Sequence, residues 1–343
     1  MALKLNRFWF IFLTGFIACG NPEENNKFSG KEIEENKLSM PILRFDEDLF
    51  AVKKETFTAD TQKLHQKYRS FFYLFTEKII KVGGPESALL RENLLGFLHD
   101  PDILSVKSEV KKQFPELTEE QKKLELGFSR FHELFPDSVI PQIVTMLSGF
   151  NYNVALSDSA LAIGLDMYLG ETCRYYELLA IPKYKVRNMT RKQLVPDAIR
   201  AYLLGNFEMK SPVEDLVSWM IYHGKILYLT QQLLPESEEQ SIFGSTEVQL
   251  NWCAKNEGKI WGHFIDRKLF YSTDFKDQVN YINDGPFTSG FPEESPARIG
   301  VWLGWQLVKS YMKKNSATSI QQLMKLQDAH QIFNKSGYKP IRL

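Results

Sequence analysis

The segment PVEDLVSWMIYHGKILYLTQQLL, residues 212–234, constrains this chain more than any other. Its spacing predicts a helix, yet apolar residues almost encircle it and leave no broad polar stripe for water. The neighbours of His223 at three and four positions are Trp219, Met220, Ile226 and Leu227, all apolar. Such a helix must be buried on most sides, so the rest of the chain has to supply the layers around it. The material is present: 43% of residues are apolar, with 25 Phe, 14 Tyr and 6 Trp. A chain of 343 residues suffices for one large domain or two small ones.

The flanking segments predict a mostly helical α+β fold, with a small sheet in the first half ahead of the buried helix. The folded part is expected to begin near PILRFDEDLF at residue 41. TQKLHQKYRSFFYLFTEKIIKV has helical apolar spacing and is stopped by Gly83-Gly84-Pro85. PESALLRENLLGFLHD opens with proline at a tolerated first-turn position, and Thr118-Glu119-Glu120-Gln121 reads as a capping box. VIPQIVTMLSGFNYN is rich in β-branched and aromatic residues, and its proline suggests an edge strand. SALAIGLDMYL predicts a second, more buried strand. Helical spacing returns in VPDAIRAYLLGNF and in the 212–234 segment. Ser295 is the expected N-cap of a helix over ARIGVWLGWQLVKSYMKK, and Thr318-x-x-Gln321 opens a last one.

The amino terminus carries a different signal. Lys4 and Arg7 precede an apolar run over Phe8–Ile17, and Ala18-Cys19 then places a small residue before cysteine. Residues 1–18 therefore read as a lipoprotein signal peptide, too short for a comfortable membrane span of roughly 20 residues, with Cys19 as the lipidated first residue. Residues 19–39 offer almost no core-forming side chains and read as a flexible tether, leaving 40–343 as a single domain. Forty-two basic residues balance 42 acidic ones, so nothing supports nucleic-acid binding, which needs a basic face. Cys173 and Cys253 could pair in an oxidising envelope or remain separate buried thiols. Their spacing does not supply bridge geometry, and neither has a C-x-x-C partner.

A zinc peptidase places two histidines four apart on one helix face, with a glutamate between them to activate water. Overlaid on His223, that pattern puts Gly224 at the glutamate and Leu227 at the second histidine. Glycine takes no proton and leucine binds no metal, so His223 is expected to be a hydrogen-bonded core histidine. His132-Glu133 begins the same motif but meets Pro136 at the second-histidine position. His263 and Asp266 lie one helical turn apart, a pair too small for a metal site. There is no nucleophile elbow, phosphate loop or dinucleotide fingerprint. The loop NDGPFTSGFPEESP, residues 283–296, remains: Phe287 and Phe291 either present a contact surface or fold back onto the core.

The Cys19 leader, RFDEDLF, FPDSVIPQIVTMLSGFN, SDSALAIGLDMYLG, WMIYHGKILYL and GPFTSGFPEESPARIGVWLGWQLVKSYM occur in an order that resembles the GldB family of gliding-motility lipoproteins. The resemblance covers nearly all of residues 40–315. That family is similar to predicted zinc-dependent peptidases, which implies a degenerate zinc-peptidase-like architecture. His223 would then sit on the peptidase helix, Gly224 and Leu227 would mark the lost base and ligand, and Glu257 would stand at the third ligand's place. The resemblance implies a non-catalytic lipoprotein of the gliding apparatus, without cofactor, associated with type IX secretion machinery. Its partners would be the membrane, through the lipid on Cys19, and other machinery proteins, with Phe287 and Phe291 as candidate contacts. Gly20, where some bacteria use aspartate for inner-membrane retention, favours the outer membrane, facing the periplasm. The alternative is an envelope-anchored metal-dependent hydrolase built around His223, His263 and Glu257. A nutrient-capturing lipoprotein has no aromatic sugar-binding pattern to support it.

Overall fold

The computed structural model describes residues 37–340; the leader, Cys19 and most of the tether lie outside the described residues. The described chain starts in a clasp. Lys37 Nζ pairs with Glu125 Oε2 at 2.6 Å, while the amides of Leu38 and Met40 donate to Ser129 Oγ and Glu125 Oε1. Both acceptors lie on the Thr118–Leu134 helix.

Beyond the clasp, β1 (Ile42–Arg44) pairs with β2 (Gln142–Met146), and β2 pairs with a later strand, Ala160–Gly164. A short strand, β3 (Val154–Leu156), precedes that segment, which is therefore β4. The sheet order is β1-β2-β4-β3, with β1, β2 and β4 parallel and β3 antiparallel to β4. Ser157–Ser159 closes the β3–β4 hairpin, where Ser157 N donates to Ala160 O at 2.9 Å. The expected edge strand is an internal one. Pro141 stands just before β2 and so removes no ladder hydrogen bond from it.

Strand alternation divides the core in two. Val144, Met146, Ala160 and Ala162 meet a cluster built from residues 45–98, whereas Ile143, Leu161 and Ile163 meet the larger helical body. In the first cluster Tyr68, Phe71, Phe72 and Phe75 gather around Phe45, with centroids 4.8, 5.1, 6.4 and 4.8 Å away. Those rings come from one predicted helix that is interrupted. Phe57–Tyr68 ends at Arg69, whose φ is 47°, and the chain resumes over Ser70–Tyr73 before a π-turn at Leu74–Ile79. Pro85 falls ahead of the next helix, Leu90–His99, rather than in its first turn.

Several helix starts differ from the sequence patterns. Thr118 is the first residue of its helix behind Leu117, and no side chain caps that end. The capping box near the C-terminus forms with Ser319 and Gln322, because TSIQQ contains two overlapping matches and the later one is used. A further helix, Ala329–Ser336, follows under an Asp328 cap. Ser295 caps nothing: its hydroxyl is buried without a partner, and the helix begins at Ile299 behind Arg298 in a left-handed conformation, φ 59°. The Ile299 amide donates instead to Thr288 Oγ1, supplied by the preceding loop.

The helical body is organised by one crossing. The central helix, Leu216–Leu233, starts at an Asp215 cap and buries residues on nearly every side, as its composition requires. It lies across the Ile299–Lys314 helix with Gly224 against Gly304. A Cβ on Gly224 would come within 2.5 Å of the Gly304 carbonyl, and one on Gly304 within 1.9 Å of Met220 O. Glycine at both positions lets the two backbones touch, and packed cores resist even one added methyl. Gly304→Ala is therefore expected to destabilise the fold by about 3 kcal/mol or more in urea unfolding. Gly262→Ala, in the helix Glu257–Asp266 with open space around the new methyl, is expected to stabilise by about 0.5–1 kcal/mol.

Candidate functional site

The central helix carries His223, Gly224 and Leu227 as one turn of side chains with three separate fates. Gly224 is consumed by the crossing and Leu227 is a core residue, 2% exposed. His223 is largely buried, stacks on Trp219 at 6.3 Å and meets the Tyr222 ring edge at 4.9 Å. The hydrogen bond expected for it is absent among the described residues; its ring is held by aromatic contact instead. Burial, reinforced by the Arg298 and Arg200 cations, brings its pKa down to about 4.

Those two arginines frame the site. Arg200, on the Leu194–Asn206 helix, bonds Asp197 and donates to Ile242 O at 2.9 Å. Arg298 donates to Phe243 O at 2.6 Å and lies over the Phe243 ring at 4.9 Å. Between them the chain turns at Gly244, whose φ of 78° lets both guanidinium groups approach the backbone. Arg298 has only a long ion pair, to Asp284 at 4.0 Å, and burial lowers its pKa to about 10. Sequence reasoning did not single out either arginine. They converge from positions about a hundred residues apart, with no local motif to mark them.

The other candidates are dispersed. Glu257 begins its helix and accepts from the Tyr338 hydroxyl near the C-terminus, while the charges acting on His223 are those of Arg298 and Arg200. His263 Nε2 bonds the Tyr281 hydroxyl at 2.8 Å, and burial lowers its pKa; Asp266 is exposed one turn on. His132 lies on the Thr118–Leu134 helix with Nδ1 buried and unpartnered. Cys253 is buried and Cys173 half-buried, each a free thiol whose pKa burial pushes up. Among the described residues no group of three His, Cys, Asp or Glu side chains is placed to hold a metal.

A Ser–Asp–His set unmarked in sequence deserves a chemical reading. Ser218 Oγ donates to Asp215 Oδ1 at 2.7 Å, and His330 Nε2 lies 2.7 Å from Asp215 Oδ2. The carboxylate stands between the other two, so the imidazole does not receive the serine proton. A nucleophile needs its base in direct contact. This set caps the central helix and ties the Ala329–Ser336 helix to it.

In the 283–296 loop the two phenylalanines divide. Phe291 folds back, 4.5 Å from the His263 ring and edge-on to Trp252. Phe287 is half-buried and belongs to neither core cluster. The loop base is closed by Thr288, whose amide and hydroxyl both donate to Pro296 O, at 3.1 and 3.0 Å.

Fold and site together define a class: a mostly helical α+β protein whose central helix carries a histidine flanked by arginines and a glycine committed to packing. The model of the family of gliding motility protein GldB matches residues 26–340, and the chain belongs to that family. It is a gliding-motility lipoprotein. No curated protein and no solved structure matches the chain. No helix among the described residues is long and apolar enough to cross a membrane.

The His223 environment sets a pH response. The folded state keeps the ring neutral down to about pH 4, whereas the unfolded chain takes the proton near 6.5. Between those values the unfolded state binds more protons, so stability falls as pH drops through the window, by up to about 3 kcal/mol. Urea unfolding at pH 7 and pH 4.5 should show a loss that His223→Phe substantially reduces.

Proposed function

We propose that this protein is a non-catalytic, lipid-anchored component of the gliding apparatus, associated with type IX secretion machinery, that acts by presenting a fixed surface. The observation that carries this reading is the Gly224 crossing. The position where a peptidase helix would hold its general base lies against the Gly304 backbone, leaving no volume for any side chain. Two further features support it. Leu227 is buried in the core, and the charges around His223 are guanidinium cations, which repel a divalent metal. Glu257 bonds Tyr338, a contact that serves the packing of the C-terminal segment.

The surface assigned to partner contact is the 283–296 loop. Phe287 offers apolar area outside the core, and Phe291 braces the loop from within against His263 and Trp252. Aromatic anchors on a rigid support concentrate interface energy, and truncating one typically costs about 2 kcal/mol. Phe287→Ala should stop gliding while leaving the melting temperature and membrane fraction unchanged. Glu257→Gln should glide, and purified protein should carry only background zinc. Stoichiometric zinc that His223→Ala removes, or loss of gliding in a folded Glu257→Gln variant alone, would replace this reading with the hydrolase.

Anchoring is assigned to Cys19, through which the fold would sit on the outer membrane facing the periplasm. Cys19→Ser should release the chain into the soluble envelope fraction or block its processing. Unchanged retention and processing, followed by fractionation and immunoblotting, would remove the lipid from the scheme.

A further inference from the structure

A cleft with a volume of about 220 Å³ opens along the central helix. Its floor is one face of that helix, where Ser218, Ile221, Tyr222 and Lys225 recur at three- and four-residue spacing. Its walls are the chain after the Leu194–Asn206 helix and the chain after the Ile320–Lys325 helix, which contribute Met209 and Leu326. For scale, a cavity of roughly 150 Å³ accommodates benzene.

Lys225 is the chemically distinctive group in this cleft. Its ammonium donates to Leu326 O at 2.8 Å and more weakly to Met324 O at 3.4 Å, which closes the end of the Ile320–Lys325 helix. An ammonium has three N–H donors, so one remains for a ligand. No carboxylate neutralises it. Glu208 on the rim pairs with Lys210 at 3.1 Å, and Asp215 beneath the floor is occupied by Ser218 and His330. The last charged group lining the cleft is Lys325, a second cation. The remaining polar floor is already bonded, since the Tyr222 hydroxyl donates to Phe207 O at 2.9 Å. The cleft therefore combines an apolar patch from Met209, Ile221, Met324 and Leu326, a volume for one small branched group, and an ammonium at its floor that no carboxylate pairs.

We propose that this cleft binds a carboxylate carried on a short apolar group, with Lys225 pairing the carboxylate and Ile221, Met209 and Leu326 enclosing the apolar part. A free branched-chain acid and the C-terminus of a peptide ending in an apolar residue share this chemistry. Recognition is by a charge-assisted hydrogen bond at the floor of the cleft, roughly twice as strong as a neutral one.

Burial lowers the Lys225 pKa to about 8, which gives the site a pH signature. The free lysine is charged below that value, and a bound carboxylate raises the pKa. Affinity is then flat from about pH 5 to 8 and falls about tenfold per unit above it. The other charged groups facing the cleft are Glu208, paired with Lys210, and Lys325, while His330 is paired with Asp215.

The test is calorimetric titration of the full chain in detergent with 4-methylpentanoate, N-acetyl-leucine and N-acetyl-leucinamide. Binding of either acid, at least tenfold tighter than the amide and about tenfold weaker at pH 9 than at pH 7, is expected. Preference between the acids separates the sources: N-acetyl-leucine tighter indicates a peptide terminus, 4-methylpentanoate tighter a free acid. Lys225→Met should abolish the acid preference. Because Lys225 also supports a helix end, Met209→Trp fills the cleft while leaving that lysine intact and should weaken acid binding at least tenfold. Equal binding of acid and amide, no binding at millimolar concentration, or full binding by the folded Met209→Trp variant would each overturn the proposal.

Discussion

The close approach of the central helix to the Ile299–Lys314 helix at Gly224 and Gly304 sets the geometry of everything around it. Two helices normally keep 8–10 Å between axes because side chains separate them. Here glycine on both sides removes that spacer, and the Met220 carbonyl lies where a Gly304 side chain would be. The close contact draws Trp305 and Met220 into full burial and brings Arg298, at the head of the second helix, within electrostatic reach of His223. The chemistry open to His223 is thus decided by a packing choice one residue away. No side chain could be placed at position 224 without moving the neighbouring helix.

The buried helix, the two main strands and the order of elements were legible in the sequence because periodicity is a local property. PQIVTM and ALAIG announce buried strands by composition, and the 212–234 segment announces a buried helix by lacking a polar face. What could not be read was mostly non-local. The internal position of β2 depends on β1, a three-residue strand about a hundred positions away. The start of the Ile299–Lys314 helix was misplaced because Thr288, not Ser295, receives its first amide. The same limit applies to the site: that Gly224 offers no proton acceptor and Leu227 no metal ligand follows from residue type alone. Arg200 and Arg298 could not be found, since each is an ordinary arginine until the fold sets them on either side of Gly244.

Electrostatics distinguishes the two faces of the central helix. On the His223 side, cations crowd a neutral ring, and the Arg298 guanidinium bonds carbonyl oxygens with Asp284 at 4.0 Å. On the Lys225 side, a lone ammonium is held by carbonyls at the floor of an open cleft. Both arrangements favour anions over metal ions. Carbonyl oxygens partially compensate buried cations without neutralising them, so each face retains a positive character that an acidic ligand or partner can complete.

The clasp at residues 37–40 has a mechanical meaning. The described chain enters the fold at the edge of the sheet, and Lys37, Leu38 and Met40 are fastened to Glu125 and Ser129 before β1 begins. A pull from an amino-terminal anchor would reach this fastening first. Beyond it lies a strand only three residues long, paired on one side. With an anchor at Cys19, the ion pair and two hydrogen bonds would act as a strain relief, as a cable clamp protects the joint behind it. Drag on a moving cell surface would have to open that clamp before it could peel β1 from β2 and reach the core.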